Sequence, residues 1–165
     1  MKVSDVMTRE PRSCSRETNL ASAVEILWMN DCGCLPVIDE NCKVIGIVTD
    51  RDISIATATR DRKPSEITVG EVISGAVECC HPDDDVTAAL QKMQAHRVRR
   101  IPVINREGVL EGILSLNDIA LNAQESRSRL GLITYEDLGK TLKSICQPHG
   151  EAKVQKQEVR AYVGR

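Results

Sequence analysis

Leu35-Pro36-Val37-Ile38 returns 66 residues later as Ile101-Pro102-Val103-Ile104, and this echo decides the fold. At the same offset, without a gap, Gly46-Ile47-Val48-Thr49 meets Gly112-Ile113-Leu114-Ser115, Asp52-Ile53 meets Asp118-Ile119, and Val3 and Val6 meet Val69 and Val72. Residues 3–57 laid on 69–123 give 11 identities in 55 pairs, so the chain is two copies of one unit of about 60 residues. The first unit falls at 1–62 and the second at 63–125, which leaves 126–165 for a C-terminal helix and tail.

Leu20, Ala23, Val24 and Leu27 are spaced i, i+3, i+4, i+7, as are Val86, Ala89, Leu90 and Met93. This predicts one amphipathic helix per copy, with Asn19 or Asp85 as N-cap. Leu35 to Ile38 and Val44 to Val48 are short β-branched runs around a turn-like Asp39-Glu40-Asn41-Cys42-Lys43, which predicts strand, turn, strand. A second helix is expected to start at Thr49 or Ser115. Small capped helices open each copy, with Thr68 and Glu71 spaced as a capping box. The polar stretch from Ala58 to Glu66, broken by Pro64, reads as the linker. Thr134 and Asp137 can cap a last helix with Leu138, Leu142 and Ile145 on one face, ended by Pro148 and Gly150. From Glu151 the chain reads as a mobile tail. The alternation of helices and short strands predicts an α/β (α+β) fold.

With 41% apolar and 28% charged residues, the chain can bury a core. Phe is absent and Trp28, Tyr135 and Tyr162 are the only aromatics, which counts against the stacking platforms of single-strand nucleic-acid binders. A net charge of -2 supplies no global field for nucleic acid or an acidic membrane, and Arg60, Arg62 and Lys63 read as a solvated linker. MKVSDVMTRE contains no apolar run of signal length, and no membrane-spanning run occurs elsewhere, so a cytoplasmic chain is expected. The seven cysteines (Cys14, Cys32, Cys34, Cys42, Cys79, Cys80, Cys146) are odd in number and read as reduced thiols.

In Gly46 to Asp52 and in Gly112 to Asp118 a strand runs into a helix that opens with Thr49 or Ser115, and an aspartate follows three residues later. The simplest reading is a capping box. Three features point further. Asp is short for that reach compared with Glu or Gln. Free amides after a strand attract phosphate, and a carboxylate suits a ribose diol. Arg51 and His96-Arg97-Val98-Arg99-Arg100 supply the guanidinium groups that hold phosphate. Together these make the inventory of a nucleotide site.

The doubled Gly-hydrophobic-hydrophobic-Thr/Ser-x-x-Asp motif, the two Pro-Val-Ile strands, Thr49-Asp50-Arg51-Asp52-Ile53 and the stretch from His96 to Val103 resemble the tandem cystathionine-β-synthase (CBS) domain pair, or Bateman module. The resemblance covers about residues 1 to 123. It implies two pseudo-symmetric β-α-β-β-α units packed sheet to sheet, with adenosyl ligands such as AMP, ADP or ATP bound in two clefts between them, and a homodimer shaped as a flat disc. Position by position, it implies Asp52 and Asp118 on ribose, Thr49 and Ser115 on phosphate, and the Arg99-Arg100 pair on phosphate. Cys32, Gly33 and Val98 would line adenine beside Ile47 and Ile113, with backbone contacts from Arg12-Ser13-Cys14 and from Glu78 to Cys80.

The copies are unequal. Gly33-Cys34 stands where the second copy has Arg99-Arg100, and Arg51 has the neutral Asn117 as counterpart, so one site, that of Asp118, Ser115 and Arg100, is expected to bind more tightly. Cys32 and Cys34 carry a rival reading, a redox- or metal-responsive interaction protein. Against a metal, neither cysteine cluster has paired C-x2-C spacing. Three separated histidines and the lack of a nucleophile elbow or P-loop argue against an enzyme. The sequence thus reads as a stand-alone regulatory module with an adenine nucleotide as regulatory ligand, no obligatory cofactor, and an unspecified effector protein.

Overall fold

A computed structural model of the chain describes residues 1–73, 77–124 and 133–147. The expected ends of the last helix at Pro148 and Gly150, and the tail beyond, lie outside the described residues. The architecture is mixed α+β, with the order β1 (Thr8–Arg9), α1 (Leu20–Met29), β2 (Cys34–Ile38), β3 (Val44–Thr49), α2 (Asp50–Thr59), α3 (Val86–His96), β4 (Arg100–Ile104), β5 (Leu110–Ser115), α4 (Leu116–Asn122) and α5 (Tyr135–Cys146).

The internal repeat is visible in the strand register. Antiparallel β2 and β3 pair Cys34 with Thr49, Leu35 with Val48, Pro36 with Ile47, Val37 with Gly46, and then slip by one residue at Ile38. β4 and β5 repeat each pair 66 positions on, including the slip between Val103 and Ile104. Pro36 and Pro102 thus occupy equivalent pairs, as do the glycines of the two motifs. Cys14 and Cys80 add an isolated parallel bridge to the outer edge of each hairpin, at Val37 and Val103.

The helices begin where the side chains can satisfy free amides. Asn19 accepts from Ser22 N at 2.9 Å, and Asp85 from Thr87 N at 2.8 Å. The openers of the two copies are single 3-10 turns at Val3–Asp5 and Val69–Glu71, the latter with its Thr68/Glu71 box in place. The linker region is more ordered than its polarity suggests: α2 runs to Thr59, and Pro64–Glu66 forms another 3-10 turn.

Each copy's opener docks on the other copy. Val3 N donates to Asp84 O and Val86 N to Met1 O, while Val69 N donates to Thr18 O and Leu20 N to Ile67 O, the same contacts 66 residues apart. Val3 and Met7 are therefore buried with Cys80, Leu90, Met93 and Ile101 in one core, and Ile67 and Val69 with Cys14, Leu20, Leu35 and Val48 in the other. Burying a valine or isoleucine in this way is worth about 1.5–3 kcal/mol, so the exchange ties the two cores into one module. It also explains the motif glycines. A Cβ at Gly112 would stand 2.6 Å from Met7 Sδ and 3.0 Å from Thr8 O, and one at Gly46 would stand 2.8 Å from Ile73 Cδ1.

Candidate functional site

β1 is the strand that makes a cleft between the copies. Thr8 and Arg9, from the first copy, pair with Ile113 and Gly112 of β5 in the second. The chain then continues through Glu10, Pro11 and Arg12 along the lead-in to β2. Between these segments and the start of α4 lies a cleft of about 460 Å3, walled by Thr8, Arg12, Cys32, Gly33, Arg100, Ile113, Ser115, Asn117 and Asp118 among others.

This cleft brings one copy's motif together with the other copy's strand lead-in. Ile113, Ser115, Asn117 and Asp118 come from the second copy, and Cys32 and Gly33 from the first. Arg100 reaches across to Gly33, where a Cβ would lie 3.0 Å from its guanidinium. Among the described residues no carboxylate lies within ion-pair distance of Arg99 or Arg100.

The motif aspartates close capping boxes, the simplest reading of the motif, although Asp is shorter for the reach than Glu or Gln. Asp118 Oδ2 accepts from Ser115 N at 2.7 Å and Ser115 Oγ at 2.5 Å. Asp52 Oδ2 accepts from Thr49 N at 3.0 Å and Thr49 Oγ1 at 2.6 Å. Extended backbone at the N-cap brings its amide toward the third helical residue, so one methylene suffices. The box uses one carboxylate oxygen. The other, Asp118 Oδ1, accepts from Thr8 Oγ1 at 3.2 Å on the wall of the cleft. Capping and ligand binding are thus compatible in the same residue.

The remaining expected residues are spread more widely. Thr49, Arg51 and Asp52 stand at the start of α2, and Ile47 lies on β3 opposite Pro36. The repeat equivalent of Thr8 in the sequence is Ser74, which lies outside the described residues. Val98 packs against the second core. Arg99 lines a neighbouring cavity of about 310 Å3 with Arg100, Ser115, Leu116, Asn117, Ala120, Leu138 and Leu142. Ser13 and Cys14 line a third cavity, with Ser15, Arg16, Glu17 and Asp39, because the bridge of Cys14 to Val37 carries the chain away from the cleft after Arg12. Cys80 is buried against β4.

Sequence reasoning missed Thr8, Glu10, Pro11, Asn30 and Asp31 in the cleft. Asn30 accepts from Arg12 Nε at 3.0 Å and so fixes that guanidinium on the rim.

Burial favours the protonated form of the cleft and core thiols. Burial pushes Cys34 up to about 11, with Arg100 opposing more weakly, and it raises Cys32 too. Cys14 is pushed up to about 11 and Cys80 to about 12 by the same cause. Reactive cysteines have lowered values. Among the described residues, no three His, Cys, Asp or Glu side chains group as metal ligands, and no helix is long and apolar enough to cross a membrane.

With the doubled hairpin, the exchanged openers and the cleft between copies established, the comparison with known proteins is direct. The CBS domain pattern matches residues 3–58 and 69–125, and the chain belongs to the CBS domain family as a tandem pair. It is 28% identical over 132 residues to the CBS domain-containing protein YhcV of Bacillus subtilis, covering 80% of this chain and 92% of that one. It is similar to the CBS domain pair of protein MJ0100 solved in complex with 5'-methylthioadenosine and S-adenosyl-L-methionine, at 26% identity and a TM-score of 0.67 over 73% of this chain and 94% of that one. Hypoxic Response Protein I, solved with two coordinated zinc ions, has 28% identity and a TM-score of 0.68 over 75% of this chain and all of that one; Hypoxic response protein 1 is a Mycobacterium tuberculosis protein. The chain spans only 23% of a homoserine O-acetyltransferase of Methanococcoides burtonii and 28% of an inosine-5'-monophosphate dehydrogenase of Methanocaldococcus jannaschii.

Proposed function

We propose that the 460 Å3 cleft binds an adenosyl ligand and that the chain is a regulatory module rather than an enzyme. The observation that carries this reading is the convergence of Asp118, Ser115, Asn117 and Arg100 on one cleft whose apolar wall includes Ile113. The ribose diol meets Asp118 Oδ1 beside Thr8. A phosphate or other anionic tail meets Arg100, Ser115 and Asn117. Adenine lies against Ile113, Cys32 and Gly33, held by aliphatic contact and backbone hydrogen bonds without an aromatic ring. The ligand complexes of MJ0100 support the adenosyl class. The weaker site at Asp52 and Thr49 is the pseudo-symmetric counterpart, with Arg51 beside it.

Ligand binding at the junction of the copies alters how they pack, and an effector protein reads the change in a cytoplasmic setting; the chain acts as a homodimer, as the CBS resemblance implies. A thermal-shift panel of AMP, ADP, ATP, S-adenosylmethionine, 5'-methylthioadenosine and NAD tests the ligand reading. A ligand at a hundred times its dissociation constant adds about 2.7 kcal/mol of stability. A rise in Tm with at least one adenosyl compound and none with the guanosine analogue supports the proposal; no rise with any of them ends it.

A further inference from the structure

The cleft and the cavity beneath α5 differ in charge. Among the described residues the cleft is lined by three carboxylates, Glu10, Asp31 and Asp118, against two guanidiniums, Arg12 and Arg100. The cavity of about 310 Å3 has Arg99 and Arg100 with no carboxylate among its lining residues, and leucine and alanine make most of its other walls. The two spaces share Arg100, Ser115 and Asn117. For a ligand whose ribose lies at Asp118, negative charge is therefore favoured past these shared residues, away from the acids of the cleft and toward Arg99.

The cavity is built by the last helix of this chain. Thr141 is fully buried, and its hydroxyl accepts from Gln94 Nε2 at 2.7 Å, which seats α5 on α3. Leu138, one turn earlier, and Leu142 then face the start of α4 across the cavity. α5 lies beyond residues 69–125, where the CBS pattern ends, so this wall is an addition to the pair. The first copy differs at the matching positions: Gly33 stands in place of Arg99, and Asp50, a carboxylate, in place of Leu116.

We propose that the cavity beneath α5 is a subsite for the second phosphate of an adenosine diphosphate or triphosphate, and that Arg99 sets the preference for phosphate-chain length. The inference rests on the adenosyl reading of the cleft and deepens it. The first phosphate meets Arg100, Ser115 and Asn117 on the shared wall, and the second reaches Arg99, which lines the cavity and not the cleft. At about 30 Å3 for each water molecule, a cavity of about 310 Å3 has room for a phosphate and several waters. The leucine walls keep water from one side of the contact, so a guanidinium and a phosphate are screened less there than on an open surface.

The test is titration calorimetry of the full chain with AMP and ADP. The expected result is that ADP binds about ten-fold or more tightly than AMP. Arg99→Gln removes that preference, bringing ADP to the affinity of AMP, while AMP itself stays within about three-fold. Leu142→Trp fills the cavity from its α5 wall, where Leu142 is 47% exposed and a larger side chain fits, and it removes the preference in the same way. Both variants are checked for fold by circular dichroism. ADP bound no more tightly than AMP, or Arg99→Gln weakening both alike, overturns the subsite while the adenosyl reading stands. No binding of AMP, ADP or S-adenosylmethionine overturns both.

Discussion

Replacing Asp118 and Asp52 separately with alanine distinguishes a helix cap from a ligand contact. The two carboxylates make the same cap: Oδ2 receives the amide and hydroxyl of Ser115 at 2.7 and 2.5 Å, or those of Thr49 at 3.0 and 2.6 Å. Both are part-buried, so each substitution costs about 1 kcal/mol of stability through the lost cap. For a chain of this length that lowers Tm by about 2–4 °C in both variants. Their second oxygens differ in setting. Asp118 Oδ1 lies beside Thr8 in the cleft that also holds Arg100. Loss of charge-assisted bonds to a ribose diol there costs about 1.5–3 kcal/mol, roughly 10- to 150-fold in affinity. Asp52 stands at the start of α2 and is not part of the cleft lining that includes Arg100, so its alanine variant loses about three-fold or less. Titration calorimetry with the adenosyl compound giving the largest thermal shift, run beside melting curves, reads both quantities. Equal affinity losses with equal Tm losses would refute the assignment of the tighter site to Asp118.

Three other outcomes follow from named contacts. Gly112→Ala places a methyl against Thr8 O, which β1–β5 pairing holds in place, and should cost about 1–3 kcal/mol in urea unfolding. Arg100→Gln removes the guanidinium that lines both the cleft and the cavity beneath α5. It should weaken a phosphorylated ligand about ten-fold or more and flatten the salt dependence of binding, while leaving an uncharged ligand such as 5'-methylthioadenosine within about three-fold. Cys14 and Cys34 hold their protons up to about 11 and Cys80 to about 12, against 9.0 for an unshifted thiol. The native state thus binds more protons than the unfolded one in that window, and stability is full below pH 9 and falls as pH rises toward 11 and 12. Melting curves from pH 8 to 11 should show this fall, and Cys80→Ala should lessen it.

The fold was legible because the repeat carries its own register. Once Leu35 to Ile38 lies on Ile101 to Ile104, every pair of β2–β3 predicts a pair of β4–β5, and all of them form. Asn19, Asp85 and Thr134 were legible as caps because capping is a local matter of three residues. The exchange of the openers was not, since Val3 and Asp84 are far apart in sequence and no spacing rule links them. The same reason hid Thr8, which reaches Asp118 only because β1 joins the other copy's sheet. Of the site, the aspartate, the hydroxyl and the arginine could be read from chemistry. The segment after Arg12 could not, because the bridge of Cys14 to Val37 determines where Ser13 and Cys14 end up. The face covered by α5 was half legible: Ile145 is buried as its spacing implied, but Leu142 stays about half exposed over the cavity it shares with Arg99.

Isoleucine methyl NMR during a ligand titration tests the account most directly, since Ile113 lines the cleft and Ile47 occupies the equivalent place in the other copy. With an adenosyl compound added below stoichiometry, the Ile113 methyl signal should move first and Ile47 only at higher concentration. An unmoved Ile113, or an Ile47 that responds first, would contradict the placement of the ligand beside Asp118.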